Sequence, residues 1–90
     1  MSVTIVVPWN FVSMTDDTKE VQIEGNTVGE CLEHLVEKHP SLKPDLFNKS
    51  GKLHNDIIIS INKKMIYPEQ LDKPVQEGDK VSISVLIGGG

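Results

Sequence analysis

Apolar and polar residues alternate along several short stretches of the chain, a period of two that is typical of half-buried β-strands. The stretches are residues 2–7, 20–25, 57–62 and 80–87, and a shorter one at 65–67 follows a tight turn. We expect the first two to form a hairpin with a rather long loop. The predicted inward-facing positions are Val3, Ile5, Val7, Val21, Ile23, Ile57, Ile59, Ile61, Val81, Ile83 and Val85.

Between the second and third stretches the period changes from two to that of a helix. Thr27 is followed three residues later by Glu30, the spacing of a capping box, so Thr27 is the predicted N-cap. Apolar residues then recur on one side of the helix, at Val28, Cys31, Leu32, Leu35 and Val36. His39 precedes a proline and closes the predicted helix.

The connections contain few apolar residues, and each of these has a predicted place. In the polar segment after the first strand, Trp9 and Phe11 are interpreted as loop anchors rather than as a ligand site. Residues 44–47 predict a turn or a single helical turn. In the long connection after residue 67, Leu71 and Val75 are expected to touch the core.

The resulting order is β-β-α-β-β-β, which predicts an α+β fold with a mixed sheet of four to five strands packed on one main helix. One helix covers only one face of a sheet. The other face should carry a set of residues that is moderately apolar and poor in charge, which is unusual for a surface without a partner. This predicted partner-binding set comprises Val6, Ile58, Ser60, Ser82, Ser84, Leu86 and either Met65 or Ile66.

Composition narrows the function. Ninety residues are enough for one domain, and the net charge of −4 argues against nucleic-acid binding. All nine basic residues are lysines, so the bidentate phosphate clamps that arginine makes are absent. No glycine pattern matches a phosphate-binding loop, so any ATP that the protein meets is expected in a partner's pocket. No apolar run approaches a membrane span, and the start does not resemble a signal peptide.

The single cysteine excludes an intrachain disulfide, and with no export signal we expect a cytoplasmic protein. Cys31 lies within the apolar stripe of the helix, so we interpret it as a buried structural residue. His34, His39 and His54 lack the spacing of metal ligands, and we predict neither a metal site nor a bound cofactor.

Three glycines at the end of the sequence, after the last predicted strand, connect the fold to a family. The order of elements is that of the β-grasp, or ubiquitin-like, fold. Together with "VTIVVP" at the start, "TVGECLEHL", "IIISIN", "EGDKVSISVLI" and the final "GG", it resembles the ubiquitin-like sulfur carriers of the ThiS/MoaD family. The stretch "GKLHNDIIISIN" looks especially like carriers used in cysteine synthesis. Two departures stand out, because Leu86–Ile87–Gly88 replaces the usual proline-containing stretch and residues 40–56 are longer than in the smallest carriers.

This resemblance implies a carrier rather than an enzyme, with residues 1–87 as the domain and Gly88, Gly89 and Gly90 as a flexible tail. An E1-like adenylating enzyme would use ATP to activate the carboxylate of Gly90, and a sulfur donor would convert it to a thiocarboxylate. A sulfur-accepting enzyme, such as the molybdopterin synthase large subunit or a cysteine synthase, would then take the sulfur. The predicted partner-binding set also includes Ile87.

Three alternatives remain open at this point. The chain could be a ubiquitin-like modifier attached to lysines, or a β-grasp interaction module that uses only the open sheet face. It could also be the small subunit of molybdopterin synthase. The sequence does not distinguish among sulfur acceptors, because that chemistry lies on the partner.

Overall fold

The computed structural model of the chain describes residues 1–86, and its main elements follow the predicted order. The strands and helices are β1 (Ser2–Val6), β2 (Glu20–Glu24), α1 (Val28–Lys38), α2 (Lys43–Leu46), β3 (Ile57–Ile61), β4 (Lys64–Ile66) and β5 (Lys80–Val85). Short 3-10 helices lie at Trp9–Thr15, Pro40–Leu42 and Pro68–Gln70. The expected tail, residues 88–90, and the end of the expected last strand at Ile87 lie outside the described residues.

The five strands form one mixed sheet in the order β2-β1-β5-β3-β4. β5 lies at its centre, parallel to β1 on one side and antiparallel to β3 on the other. The outer pairs, β1 with β2 and β3 with β4, are antiparallel hairpins. This is the β-grasp arrangement, and it makes the last strand the central one. The last described residues therefore lie in the middle of the sheet and not at an edge.

The core lies between one face of the sheet and α1, as the two hydrophobic periods predict. Every predicted inward strand residue is buried except Val85, which is half-buried and packs against the core. The helical stripe from Val28 to Leu35 is fully buried, while Val36 at its end is half-buried. Val75 is buried and Leu71 partly buried, so the predicted contacts of the long connection are confirmed.

The start of α1 matches its prediction with one difference in detail. The hydroxyl oxygen of Thr27 accepts a hydrogen bond from the backbone N–H of Glu30 over 3.1 Å. The carboxylate of Glu30 accepts in turn from the backbone of Asn26, at 3.0 Å, and not from Thr27 itself. Two backbone donors at the helix entrance are satisfied in this way.

The segment after β1 differs from the sequence prediction. It forms a 3-10 helix over Trp9–Thr15, which buries Phe11 as expected. The interpretation of Trp9 as an anchor is wrong, because this residue is 79% exposed. A 3-10 helix has about three residues per turn. Side chains two residues apart on such a helix therefore point in different directions. The orientation that buries Phe11 places Trp9 at the surface.

The turn between β3 and β4 has two residues, Asn62 and Lys63, with φ angles of 48° and 75°. Two successive positive φ values are typical of the type I′ turn that joins tight hairpins. The turn pairs Ile61 directly with Lys64. As a result β4 begins one residue earlier than predicted and ends at Ile66.

Candidate functional site

Strand register aligns one row of outward-facing residues across the whole sheet. Met65 on β4 is paired with Ser60 on β3, and Ser60 is paired with Ser82 on β5. Ser82 is paired with Val6 on β1, which is paired with Glu20 on β2. Since paired residues share a face of the sheet, four members of the predicted partner-binding set lie side by side.

The rest of the predicted set lies next to this row, towards the end where β5 leaves the sheet. Ile58 is paired with Ser84, and Leu86 follows β5 directly. Met65 and Leu86 are strongly exposed, at 60% and 56%, whereas Ile66 is buried. Of the two alternatives at β4, Met65 is therefore the one on the open face. Ile87 lies outside the described residues.

Charge divides the open face into two parts. On the β2 side, Lys80 and Glu20 form a solvent-exposed ion pair across β1, with their charged atoms 3.8 Å apart. Beside it the amide of Gln22 donates a hydrogen bond of 2.8 Å to the hydroxyl of Thr4. The part formed by β3, β4 and the end of β5 has only apolar residues and serines. We call that part the uncharged patch, comprising Ile58, Ser60, Met65, Ser82, Ser84 and Leu86.

The exit of β5 is anchored on one side. The backbone N–H of Leu86 donates a hydrogen bond of 2.7 Å to the carbonyl of Asp56, which continues the ladder with β3 by one residue. The main chain is thus held as far as Leu86. Gly88, Gly89 and Gly90, where the sequence predicts the reactive end, lie outside the described residues.

Two aromatic residues at this end of the sheet were not included in the predicted set. Trp9 lines a groove of about 550 Å³ beside the last residues of β5, together with Pro8 and Val85. Tyr67 follows β4 and is 65% exposed. Strand alternation alone places Tyr67 on the same side as Met65, so Tyr67 could have been predicted from the sequence. Trp9 could not be predicted in this way, because Pro8 ends the alternating pattern before it.

Cys31 is fully buried, as predicted, beneath the sheet. Burial raises the pKa of its thiol, and the nearby carboxylate of Glu30 adds to the rise. A thiol with a raised pKa is a poor nucleophile at neutral pH. In residues 1–86 the side chains that commonly bind metal ions nowhere form a group of three or more. No helix in this part of the chain is long and apolar enough to cross a membrane.

Comparison with solved structures finds the same fold in small proteins of similar length. The chain is 28% identical to a chain of the Amycolatopsis orientalis BexX/CysO complex, with 98% of this chain and 99% of that one covered and a TM-score of 0.86. It is 27% identical to small archaeal modifier protein 1 of Methanosarcina acetivorans, covering 99% and 96% with a TM-score of 0.86. SAMP1 of Haloferax volcanii, at 22% identity, full coverage of both chains and a TM-score of 0.87, shares the fold.

No curated protein sequence matches the chain significantly. The model of the ThiS family matches residues 7–90, which include every strand and helix after β1 and extend to the last glycine. The resemblance drawn from the sequence is therefore confirmed. The chain belongs to the ThiS family, with the β-grasp fold of ubiquitin-like sulfur carriers and modifiers.

Proposed function

We propose that the protein is a sulfur carrier whose reactive group is the carboxylate of Gly90. The observation that carries this proposal is the position of β5. As the central strand, it ends in the middle of the sheet, next to the uncharged patch. A partner that binds the patch would have the last residues within its reach. The family match extends through Gly90, which supports the same assignment.

The chemistry explains why an activating partner is needed. A carboxylate is a poor electrophile, because its negative charge repels nucleophiles and oxide is a poor leaving group. In the proposed first step an oxygen of the Gly90 carboxylate attacks the α-phosphate of ATP, and pyrophosphate leaves. Hydrosulfide then attacks the acyl carbon of the adenylate, AMP leaves, and a thiocarboxylate remains. If the sulfur donor is a persulfide, a second thiol must also reduce the sulfur–sulfur bond.

Glycine suits this reaction because it has no Cβ, so the main chain can pass through a narrow channel to ATP. From Leu86, the four remaining residues reach about 13–14 Å when extended. Ordering each of them costs roughly 1–2 kcal/mol. Glycines bury too little to offset that cost, so docking must come from the folded domain. Met65, Ile58 and Leu86 supply apolar surface there, and burial of each contributes about 1.5–3 kcal/mol.

The partners of the carrier are proteins of three kinds: an E1-like adenylating enzyme, a sulfur donor and a sulfur-accepting enzyme. The BexX/CysO complex of Amycolatopsis orientalis supports a protein partner for a chain of this type. The sulfur would enter biosynthesis of molybdopterin, of cysteine, or of a thiazole or thiolated tRNA. In each case this chain is a co-substrate, and ATP binds to the activating partner.

The experiment that tests this function is an intact-mass measurement. The purified chain is incubated with the E1-like enzyme of its source cell, ATP and a sulfur donor. We expect a product in which one oxygen is replaced by sulfur, and no such product when the C-terminus is blocked as an amide. If no such enzyme forms either an adenylate or a thiocarboxylate on the chain, the sulfur-carrier assignment is wrong.

A second function, protein modification, is favoured by the similarity to small archaeal modifier protein 1. Activation is the same in both cases, and the difference lies in the acceptor of the acyl group. A modifier would be recovered from cells joined to lysine side chains of other proteins by its last glycine. Mass spectrometry of tryptic digests from the source cell separates the two functions. Trypsin cuts the chain for the last time after Lys80, so only conjugation leaves the peptide of residues 81–90 on a target lysine.

A further inference from the structure

The two neighbours of β5 are paired with it over different lengths, three residue pairs for β1 and five for β3, which leaves a short gap in the middle of the sheet. Its pairing with β1 ends where Val6 meets Ser82. Its pairing with β3 continues for three more residues, to Val85 opposite Ile57. β1 does not continue its pairing with β5 because Pro8, two residues after Val6, has a fixed φ and no N–H to donate. Within residues 1–86, Ile83, Ser84 and Val85 therefore have a strand neighbour on one side only.

The hydrogen bonds on either side of β5 show which backbone groups point into this gap. The N–H of Leu86 donates to Asp56 on the β3 side, whereas the carbonyl of Asp79 accepts from Thr4 on the β1 side. Alternate residues of a strand direct their N–H and C=O groups to opposite sides. Val85, one residue before Leu86, therefore directs both groups into the gap, as Ile83 directs its carbonyl. These are the groups with which an edge strand pairs.

The gap opens into the groove lined by Trp9, and this groove has the composition of a peptide site. Its lining is apolar or uncharged apart from Lys19. The indole of Trp9 is exposed at the surface, where it offers a large apolar area that a bound peptide can bury. In a chain with a net charge of −4, the ammonium group of Lys19 favours a segment that carries a carboxylate.

We infer that an extended segment of the activating enzyme adds to β5 as a short extra strand, pairing with Ile83 and Val85 in this gap and contacting Trp9. This inference rests on the proposed function and specifies how the enzyme holds the carrier. The last three residues are glycines without side chains, so a partner can recognise them only through their backbone groups. Val85 lies only five residues before Gly90, so a partner strand that pairs with these glycines can extend to its backbone groups. β-strand addition to a sheet edge is a common mode of peptide recognition.

Amide hydrogen exchange of the wild-type chain tests the inference without any substitution. In the free protein we expect the amide of Val85 to exchange faster than those of Ser84 and Leu86, which face β3. With the activating enzyme bound, the amide of Val85 should become protected. Protection of Val85 already in the free chain, or exchange of its amide that is unchanged in the complex, would overturn the inference.

A matched pair of variants gives an independent test. Val85→Ala and Val85→Pro both replace the isopropyl group of valine, but only proline removes the N–H that points into the gap and is not needed for pairing with β3. We expect the proline variant to bind the activating enzyme about fivefold more weakly than the alanine variant, the value of one hydrogen bond. Thermal unfolding checks that both are folded. Equal affinities for two folded variants would contradict the inference.

Trp9 provides a readout of its own, since it is the only tryptophan in the chain. With an enzyme whose tryptophans are replaced by phenylalanine, binding should shift its fluorescence emission to shorter wavelength. Trp9→Ala should weaken binding, and Lys19→Gln should reduce the salt dependence of the affinity. If ATP is consumed with the wild-type chain but none of these effects is observed, the strand addition is wrong and the proposed function stands. If the wild-type chain never stimulates adenylation, the proposed function itself is wrong.

Discussion

Met65 is paired with Ser60 across β4 and β3, so its side chain lies on the open face while its neighbour Ile66 packs in the core. This pairing gives the uncharged patch its most exposed apolar side chain. An exposed thioether on a sheet face that carries no charge nearby is well suited to a protein partner, because it adapts to irregular surfaces.

Charge substitutions in the patch should weaken docking to the activating enzyme without unfolding the chain. Met65→Asp, Ile58→Asp and Leu86→Asp each place a carboxylate where the partner buries an apolar group, so we expect the Kd to rise about tenfold or more. Isothermal titration with the enzyme measures this. Ser41→Asp, which adds the same charge at an exposed position after α1, is the matched control. If Leu86→Asp and Ile58→Asp leave activation unchanged, docking uses another surface.

The length and the freedom of the C-terminus should both matter for activation. Appending a bulky residue after Gly90 converts the reactive carboxylate to an amide and places a side chain in the channel. We therefore expect no thiocarboxylate to form on this variant. Deleting Gly90 shortens the reach by about 3.3–3.6 Å, which misplaces the reacting atoms. Because another glycine precedes it, partial activity of the deletion variant is the expected result. Intact-mass analysis of both variants checks this, and full activity of the extended variant would contradict it.

Gly25 should be intolerant of a side chain because of its contact with α1. A Cβ at this position would lie 2.6 Å from the sulfur of Cys31 and 3.0 Å from its backbone nitrogen. We expect Gly25→Ala to lower the free energy of unfolding by about 1–3 kcal/mol, the usual cost of overpacking. Urea denaturation measures it. In a Cys31→Ala background part of the cost should disappear; an equal cost in both backgrounds would exclude the sulfur contact as its cause.

His34 should make stability depend on pH. The carbonyl of Glu24, which accepts a hydrogen bond from the ring, raises the pKa of His34; partial desolvation opposes this, and the carboxylates of Glu37, Glu30 and Glu33 add to it. Since the folded-state pKa is raised, the stabilisation is fully present below the unfolded-state value of about 6.5. It is lost as the pH rises through the folded-state pKa. NMR titration of the ring gives that pKa directly.

The variant His34→Gln is the control for this pH dependence. It has no ring that titrates, so its unfolding free energy should lack the decrease that the wild type shows above pH 6.5. An identical pH profile for the two proteins would show that His34 is not the group responsible.

The sequence by itself determined the elements, their inward faces and the family. Each of these depends on local patterns: the period of two that buries Ile5 and Ile83, the period of the helix that buries Leu32, and the capping residue Thr27. Such patterns are readable because a strand or helix with one apolar side has one way to face the core. The glycines at the end of the sequence added the family to the fold.

Only the tertiary structure decided how those elements make a surface. Register aligned Met65, Ser82 and Val6 in one row, and register depends on pairing between residues far apart in the chain. The exposure of Trp9 followed from the packing of the 3-10 helix in which it lies, which no periodic pattern announced. The gap beside Val85 exists because β1 and β3 end at different points along β5. That difference arises only when the three strands pair in the folded chain, so it cannot be read from the sequence of any single strand.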